Sequence, residues 1–304
     1  MNVTDSPVLV DADDDLDAAL RRDGAVVVRG FDVADAADVG RVARSLAGRL
    51  MTEREGFAPR ETYEADVYSS SKWPANQPMC MHHELSYATE SPSLLVFGCL
   101  TAPAAGGDTA VADGQAVLRA LPAELVTRFE RDGWQLVRNY NDSVGVGWAE
   151  AFGSNDRHEV ERYCAANAID VEWRQDNGLR TSQVRPAVVT HPVSGERCWF
   201  NQIAFLNELT IDPEVREYLT LVFGPDGLPF TTHYGNGDPV EADVVDLINT
   251  VYQEHTRSRP WQVGDVLLVD NIRTAHSREP FEGAREIVVA MGDPLRPADL
   301  VVAR

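Results

Sequence analysis

The apolar residues of this chain come in short runs that end at turn residues. Ala25-Val26-Val27-Val28 follows Asp23-Gly24, Ala110-Val111-Ala112 follows Gly106-Gly107, and Val266–Val269 stops at Asp270-Asn271. Ser93–Leu100, Ala187-Val188-Val189, Cys198-Trp199-Phe200 and Ile287–Met291 have the same character. Runs of this length suit buried strands, and none approaches the roughly 18 apolar residues of a membrane span. Helical spacing is confined to a few places. A helix ends near Asp23, and Asp35–Leu50 carries Val39, Val42, Leu46 and Leu50 on one face. Ala116–Arg131, His158–Asn167 and Asp243–His255 also read as helices, the last with Val244, Leu247, Ile248 and Val251 together. Ser69–Pro78 is a polar, proline-containing loop, and 137–177 mixes Gly, Asn and Asp around one short helix. No repeat or low-complexity linker divides the chain. The expectation is one domain over residues 1–304: a mainly antiparallel β core with flanking helices.

Charge narrows the function. Acidic residues number 48 against 27 basic ones, a formal charge of −21. Such a surface repels phosphate backbones, so no nucleic-acid partner is expected. No membrane attachment is expected either, because Met1 to Asp5 and the acidic Asp11–Asp17 form no basic leader. Cys80, Cys99, Cys164 and Cys198 show no CxxC spacing, which points to a reducing, cytoplasmic setting. Lys72 is the sole lysine, a bias read here as coding preference. It also leaves no lysine in a phosphate-binding GxxxxGK loop.

Three places concentrate reactive groups. In Met81-His82-His83-Glu84, an extended chain would put His82 and Glu84 on one face and His83 on the other. An imidazole beside a carboxylate makes two corners of a metal site; two exposed polar residues are the plain alternative. Asp270-Asn271-Ile272-Arg273-Thr274-Ala275-His276 follows an apolar strand, so His276 sits at the rim of the core as ligand, base or buried polar group. Arg285 opens the next strand. Arg273 and Arg278 add local positive charge to an acidic chain, which suits a small dianion. Two histidines and one carboxylate leave three coordination positions open, the arrangement of non-haem Fe(II) oxygenases.

With these residues in order, the chain resembles the TauD/TfdA family of Fe(II)/2-oxoglutarate dioxygenases, and within it the SyrP-like branch. The likeness runs over about residues 20–295. It includes Trp73-Pro74, His82-His83-Glu84-Leu85-Ser86-Tyr87, Gly106-Gly107-Asp108-Thr109, Arg185-Pro186-Ala187, Trp199-Phe200-Asn201-Gln202, His276-Ser277-Arg278 and Gly283-Ala284-Arg285. The resemblance implies a double-stranded β-helix (jelly roll) with Fe(II) held by His82, Glu84 and His276. It implies 2-oxoglutarate held by Arg285 and Thr109, and O₂ as the oxidant. A guanidinium grips a carboxylate bidentately, which fits Arg285.

The branch implies hydroxylation of an amino acid or amino-acid-derived substrate, free or tethered to a carrier protein, in natural-product biosynthesis. Desaturation or cyclisation on the same scaffold, and a non-catalytic metal or 2-oxoglutarate sensor, are the alternatives. Zinc-dependent hydrolysis would need neither Arg285 nor Thr109. Halogenation is set aside because Glu84 fills the place a halide would take. Taurine-type members carry a second arginine four residues after the first; Val289 stands there, against a small sulfonate substrate. Asn201, Gln202 and Arg278 are candidate substrate contacts, although Trp199–Gln202 also reads as strand packing. His191 reads as a turn or core histidine, and His158, His233 and His255 as surface or structural residues. Cys80 lies either near the metal or in a small packing role.

Overall fold

The computed structural model describes residues 6–141, 143–175 and 177–301, and it brings the apolar runs together as neighbours. Seven strands form one sheet in the order Val8–Asp11, Ala25–Arg29, Val266–Asp270, Ser91–Thr101, Glu286–Leu295, Val67–Ser69 and Thr62–Glu64. Only the first pair is parallel. Successive residues of a strand point to opposite faces, so an unbroken apolar run requires both faces to be covered. They are. Val26, Val28, Val96, Val266, Leu268 and Val288 pack with Val39 and Val42 of the helix Ala36–Leu46. The alternate residues Val27, Leu95, Phe97, Leu267, Val269 and Ile287 belong to the main core.

A smaller sheet meets that inner face. Its order is Thr256–Arg257, Val111–Asp113, Thr274–Arg278, Met79–His82. The rings of Phe97 and His276, one from each sheet, lie 5.3 Å apart. Two sheets of mostly antiparallel strands with helices outside make the mainly β jelly roll that the sequence led us to expect.

Three expectations need correction. Ala116–Arg131 is two helices, Gly114–Ala120 and Ala123–Asp132. Pro122 has no N–H and forces Leu121 out of helical geometry, to ψ 147°. The helix begun at Asp35 stops at Leu46 rather than Leu50. The region 137–177 contributes to another four-stranded sheet, ordered Asp170–Trp173, Leu179–Arg185, Trp134–Tyr140, Phe230–Tyr234. Its strand Leu179–Arg185 points Thr181, Gln183 and Arg185 inward, so no apolar alternation marked it.

The close fit of Ala36–Leu46 on the large sheet rests on Gly98, where a Cβ would meet Val39 Cγ2 at 2.3 Å. Gly98→Ala is expected to cost about 1–3 kcal/mol of stability through overpacking. Adding Val39→Ala should recover part of that loss, because the two sites touch. Denaturant midpoints of the parent and the two variants check this; an undiminished midpoint in Gly98→Ala would contradict the packing.

Candidate metal centre

The two histidines meet through strand register. Thr274–Arg278 pairs antiparallel with Met79–His82, and His276 stands directly opposite His82. Facing residues of a ladder project to the same side, and the two rings lie 4.3 Å apart. Glu84 arrives differently from the extended-chain expectation. The strand ends at His82, and the chain turns through Glu84 to Tyr87. Leu85 there is fully buried in the left-handed region, at φ 53°. That conformation costs on the order of 1–3 kcal/mol and persists only where its surroundings enforce it. Asn271 does much of the enforcing. Its Oδ1 accepts from the Glu84 N–H at 2.8 Å, and its Nδ2 donates to the carbonyls of Glu84 (3.0 Å) and Pro92 (2.8 Å). One ligand atom from each of His82, Glu84 and His276 then lies within 4.8 Å of the others, and all three residues are buried.

Protonation suits a cation. His82 Nδ1 lies 2.8 Å from the Cys80 carbonyl, which only accepts, so Nδ1 carries the proton and Nε2 keeps its lone pair. Burial, reinforced by neighbouring His276, pushes the His82 pKa down to about 3. His83 turns away, as expected from its place in the sequence. Its Nδ1 bonds the Asn271 carbonyl at 2.7 Å, and burial lowers it to about 4.

Sequence reasoning missed Arg60. It is buried against the centre, donating from Nη2 to Glu84 Oε2 at 3.0 Å and lying 3.6 Å from Glu53. Its Nε donates to Ser71 Oγ at 3.2 Å. Burial works against the Glu84 carboxylate, yet Arg60, His276 and His82 together outweigh it and hold Glu84 well below the usual range. Burial likewise opposes the Arg60 charge, and Glu84 with Glu53 restores it. Glu53 itself is raised, by burial first.

Across the same small void, of about 40 Å³, stand Thr109, Arg285 and Val289. Arg285 donates to the Gly107 carbonyl (2.9 Å), Thr109 Oγ1 (3.3 Å) and Ser70 Oγ (3.4 Å). None of these partners is a carboxylate. Burial, and then nearby Arg278, lowers its pKa to about 10.

The remaining candidates are placed otherwise. Arg278 borders the void, but its guanidinium donates to the carbonyls of Trp73 (3.0 Å), Pro74 (2.6 Å) and Gln77 (2.7 Å). Asn201 donates to the Ala187 carbonyl and accepts from the Ile203 N–H. Gln202 donates to the His83 carbonyl. Both amides are buried and serve the backbone behind His83 rather than the void. His191 is a turn histidine: Nδ1 accepts from the Val193 and Ser194 N–H groups while Nε2 meets Asp270 at 2.8 Å.

Comparison with known proteins agrees. The family profile of taurine catabolism dioxygenase TauD, TfdA family, matches residues 2–291. The chain belongs to this family. The dapdiamide synthesis protein DdaC of Enterobacter agglomerans is 35% identical over 283 residues, 93% of this chain and 86% of that protein. A clavaminate synthase-like protein of Arabidopsis thaliana is 29% identical over 288 residues, covering 91% and 83%. PvcB of Pseudomonas aeruginosa, an Fe, α-ketoglutarate-dependent oxygenase from an isonitrile synthetic pathway, shares the fold. That match has a TM-score of 0.53 and 16% identity over 96% of this chain and 90% of PvcB. This TauD/TfdA member is therefore an Fe(II)/2-oxoglutarate-dependent dioxygenase, using Fe(II), 2-oxoglutarate and O₂.

The Arg60 contact has a measurable consequence. Arg60→Ala strands two buried carboxylates and is expected to destabilise the metal-free dioxygenase by about 3–5 kcal/mol. Mn(II) should restore more stability to this variant than to the parent, because the ion replaces the lost positive charge at Glu84. Thermal unfolding with and without Mn(II) measures both; equal metal-induced shifts would deny the electrostatic link.

Proposed function

We propose that His82, Glu84 and His276 hold the Fe(II), that Arg285 with Thr109 holds the distal carboxylate of 2-oxoglutarate, and that the enzyme hydroxylates an unactivated C–H of an amino acid or amino-acid-derived substrate. The observation that carries the reading is the convergence of three buried ligand atoms opposite an arginine without a carboxylate partner among the described residues. The donor set suits the ion: two imidazoles, that of His82 kept neutral by burial, and one carboxylate kept ionised, as a facial triad requires. Bound there, Fe(II) supplies the oxidising chemistry that couples decarboxylation of 2-oxoglutarate to oxygen insertion. The residues around it fix the ligands, exclude water and aim one substrate C–H.

Glu84 occupies the third protein position, which favours hydroxylation over halide transfer. The likeness to DdaC supports a role in natural-product biosynthesis, with the substrate free or on a carrier protein. Val289, in the wall where taurine-type relatives have a cation, weighs against a sulfonate.

The test incubates amino acids and their acylated or carrier-bound forms with Fe(II), ascorbate and 2-oxoglutarate and reads product mass. A gain of one oxygen supports hydroxylation; loss of two hydrogens or a chlorinated product overturns it. His82→Ala is expected to abolish Fe(II) binding in calorimetric titration, whereas His83→Ala should lower stability and keep the ion. The reverse ranking would reassign the ligands. Arg285→Ala should weaken 2-oxoglutarate by about 2–5 kcal/mol, the cost of an unpaired buried carboxylate, and leave the substrate KM nearly unchanged. Unaltered succinate formation at low 2-oxoglutarate would remove Arg285 from that role.

A further inference from the structure

Two hydroxyls stand beside the Arg285 guanidinium, and both only accept. Nη1 donates to Ser70 Oγ at 3.4 Å and Nη2 to Thr109 Oγ1 at 3.3 Å, while Nε is taken up by the Gly107 carbonyl at 2.9 Å. Neither hydroxyl donates to any group among the described residues. Each therefore has an O–H to give. Ser70, Thr109 and Arg285 all line the small void that also borders His82, Glu84 and His276. Thr109 belongs to the motif that the family resemblance pairs with the cosubstrate. Ser70 belongs to no such motif; it lies in the polar loop that follows Val67–Ser69.

The strand beside the arginine fixes this serine. Val67–Ser69 pairs antiparallel with Glu286–Leu295, with Ser69 facing Val288. The Ser70 N–H extends the pairing by donating to the Ile287 carbonyl at 2.8 Å. Ser70 thus reaches one terminal nitrogen of Arg285 through the sheet, and Thr109 reaches the other from the Gly106-Gly107 turn. Ser71 is turned to the other arginine, and its Oγ accepts from Arg60 Nε at 3.2 Å. A guanidinium has five N–H groups, so after these three bonds Arg285 keeps one on each terminal nitrogen. A carboxylate offers about four lone-pair sites and no donor. Two N–H groups and two O–H groups match that number. A hydroxyl that accepts from a cation is polarised and donates the more strongly.

Building on the assignment of Arg285 to 2-oxoglutarate proposed above, we infer that Ser70 is a further binding residue for that cosubstrate, its hydroxyl donating to the distal carboxylate. With Thr109 and the two free N–H groups of Arg285 it gives that carboxylate a donor for each lone pair. The recognition is of the charged group and not of chain length alone. A 2-oxo acid ending in a methyl group offers the serine nothing to bind.

Anaerobic titration of the Fe(II) protein, read by charge-transfer absorption and by calorimetry, tests this with two probes. One is 2-oxoglutarate; the other is 2-oxopentanoate, which carries a methyl group in place of the distal carboxylate. Ser70→Ala is expected to weaken 2-oxoglutarate about tenfold, the worth of one hydrogen bond to a charged group, and to leave 2-oxopentanoate within about twofold. Ser70→Thr keeps the hydroxyl and should hold 2-oxoglutarate within about threefold of the parent. Unchanged 2-oxoglutarate affinity in Ser70→Ala, or equal weakening of both probes, would overturn the inference. Where 2-oxopentanoate binds too weakly to saturate, the two serine variants decide: Ser70→Thr as weak as Ser70→Ala overturns the role of the hydroxyl. Arg285→Ala separates this inference from the reading it rests on. If Arg285→Ala weakens 2-oxoglutarate and Ser70→Ala does not, the serine's role alone falls. If neither variant weakens it, the assignment of Arg285 falls as well.

Discussion

The candidate metal centre of this molecule depends on one strand register, His276 facing His82. A slip of one residue would turn His276 to the other side of the sheet and leave one histidine with Glu84. Several contacts hold the register. Thr274–Arg278 is paired on its other side with Val111–Asp113, Thr274 against Asp113 and His276 against Val111. Arg273 closes onto Asp113 at 2.6 Å just before the strand begins. Asn271, two residues earlier, ties the Glu84 backbone to the start of Ser91–Thr101. The strand carrying one imidazole and the turn carrying the carboxylate are therefore fixed to the same few residues. The proposed facial arrangement of ligands needs this, because one of its three corners, His276, comes from a distant part of the chain.

Much of that arrangement was legible in the sequence. Short apolar runs outlined the large sheet because it is buried on both faces, and the reactive residue types stood out against them. The sheet built from Trp134–Tyr140 and Leu179–Arg185 was hidden for the opposite reason. Gln183 and Arg185 face inward and satisfy themselves on the Tyr87 carbonyl, so burial there carries no hydrophobic signature. Asn271 read as an ordinary residue closing a strand. Arg60 lies 24 residues before Glu84 in a stretch without periodicity, and nothing local distinguishes it from a surface arginine. Such contacts are long-range and polar. Pattern reasoning sees apolar periodicity and clustered chemistry, and these residues belong to neither.

Arg60 and Arg285 show how two buried guanidiniums are put to different uses in one centre. Arg60 is neutralised by Glu84 and Glu53, so it orients a carboxylate and keeps it ionised. Arg285, partly buried, donates to hydroxyls and a carbonyl, and no carboxylate pairs with it among the described residues. An uncompensated buried cation is costly, and an arriving carboxylate relieves that cost. The contrast supports the proposal that the anion binds at Arg285 and not at Arg60. It also explains how an acidic chain, at −21, can attract a dianion: the attraction is local and enclosed, while the surface charge is screened by solvent.

The preference for arginine over lysine also acquires a structural meaning here, whatever its genetic origin. Arg185 donates to the carbonyls of Tyr87, Ala168, Val184 and Asn167, and Arg138 to those of Glu55 and Gly56. Arg278 gathers the carbonyls of Trp73, Pro74 and Gln77. A planar fork of five donors can hold several carbonyls of an irregular segment at once, where an ammonium offers three donors from a single point. Irregular backbone close to a buried site needs such donors, because no sheet or helix satisfies its carbonyls. Arg278, which the sequence suggested as a substrate contact, is in this light the clamp on the 73–77 loop.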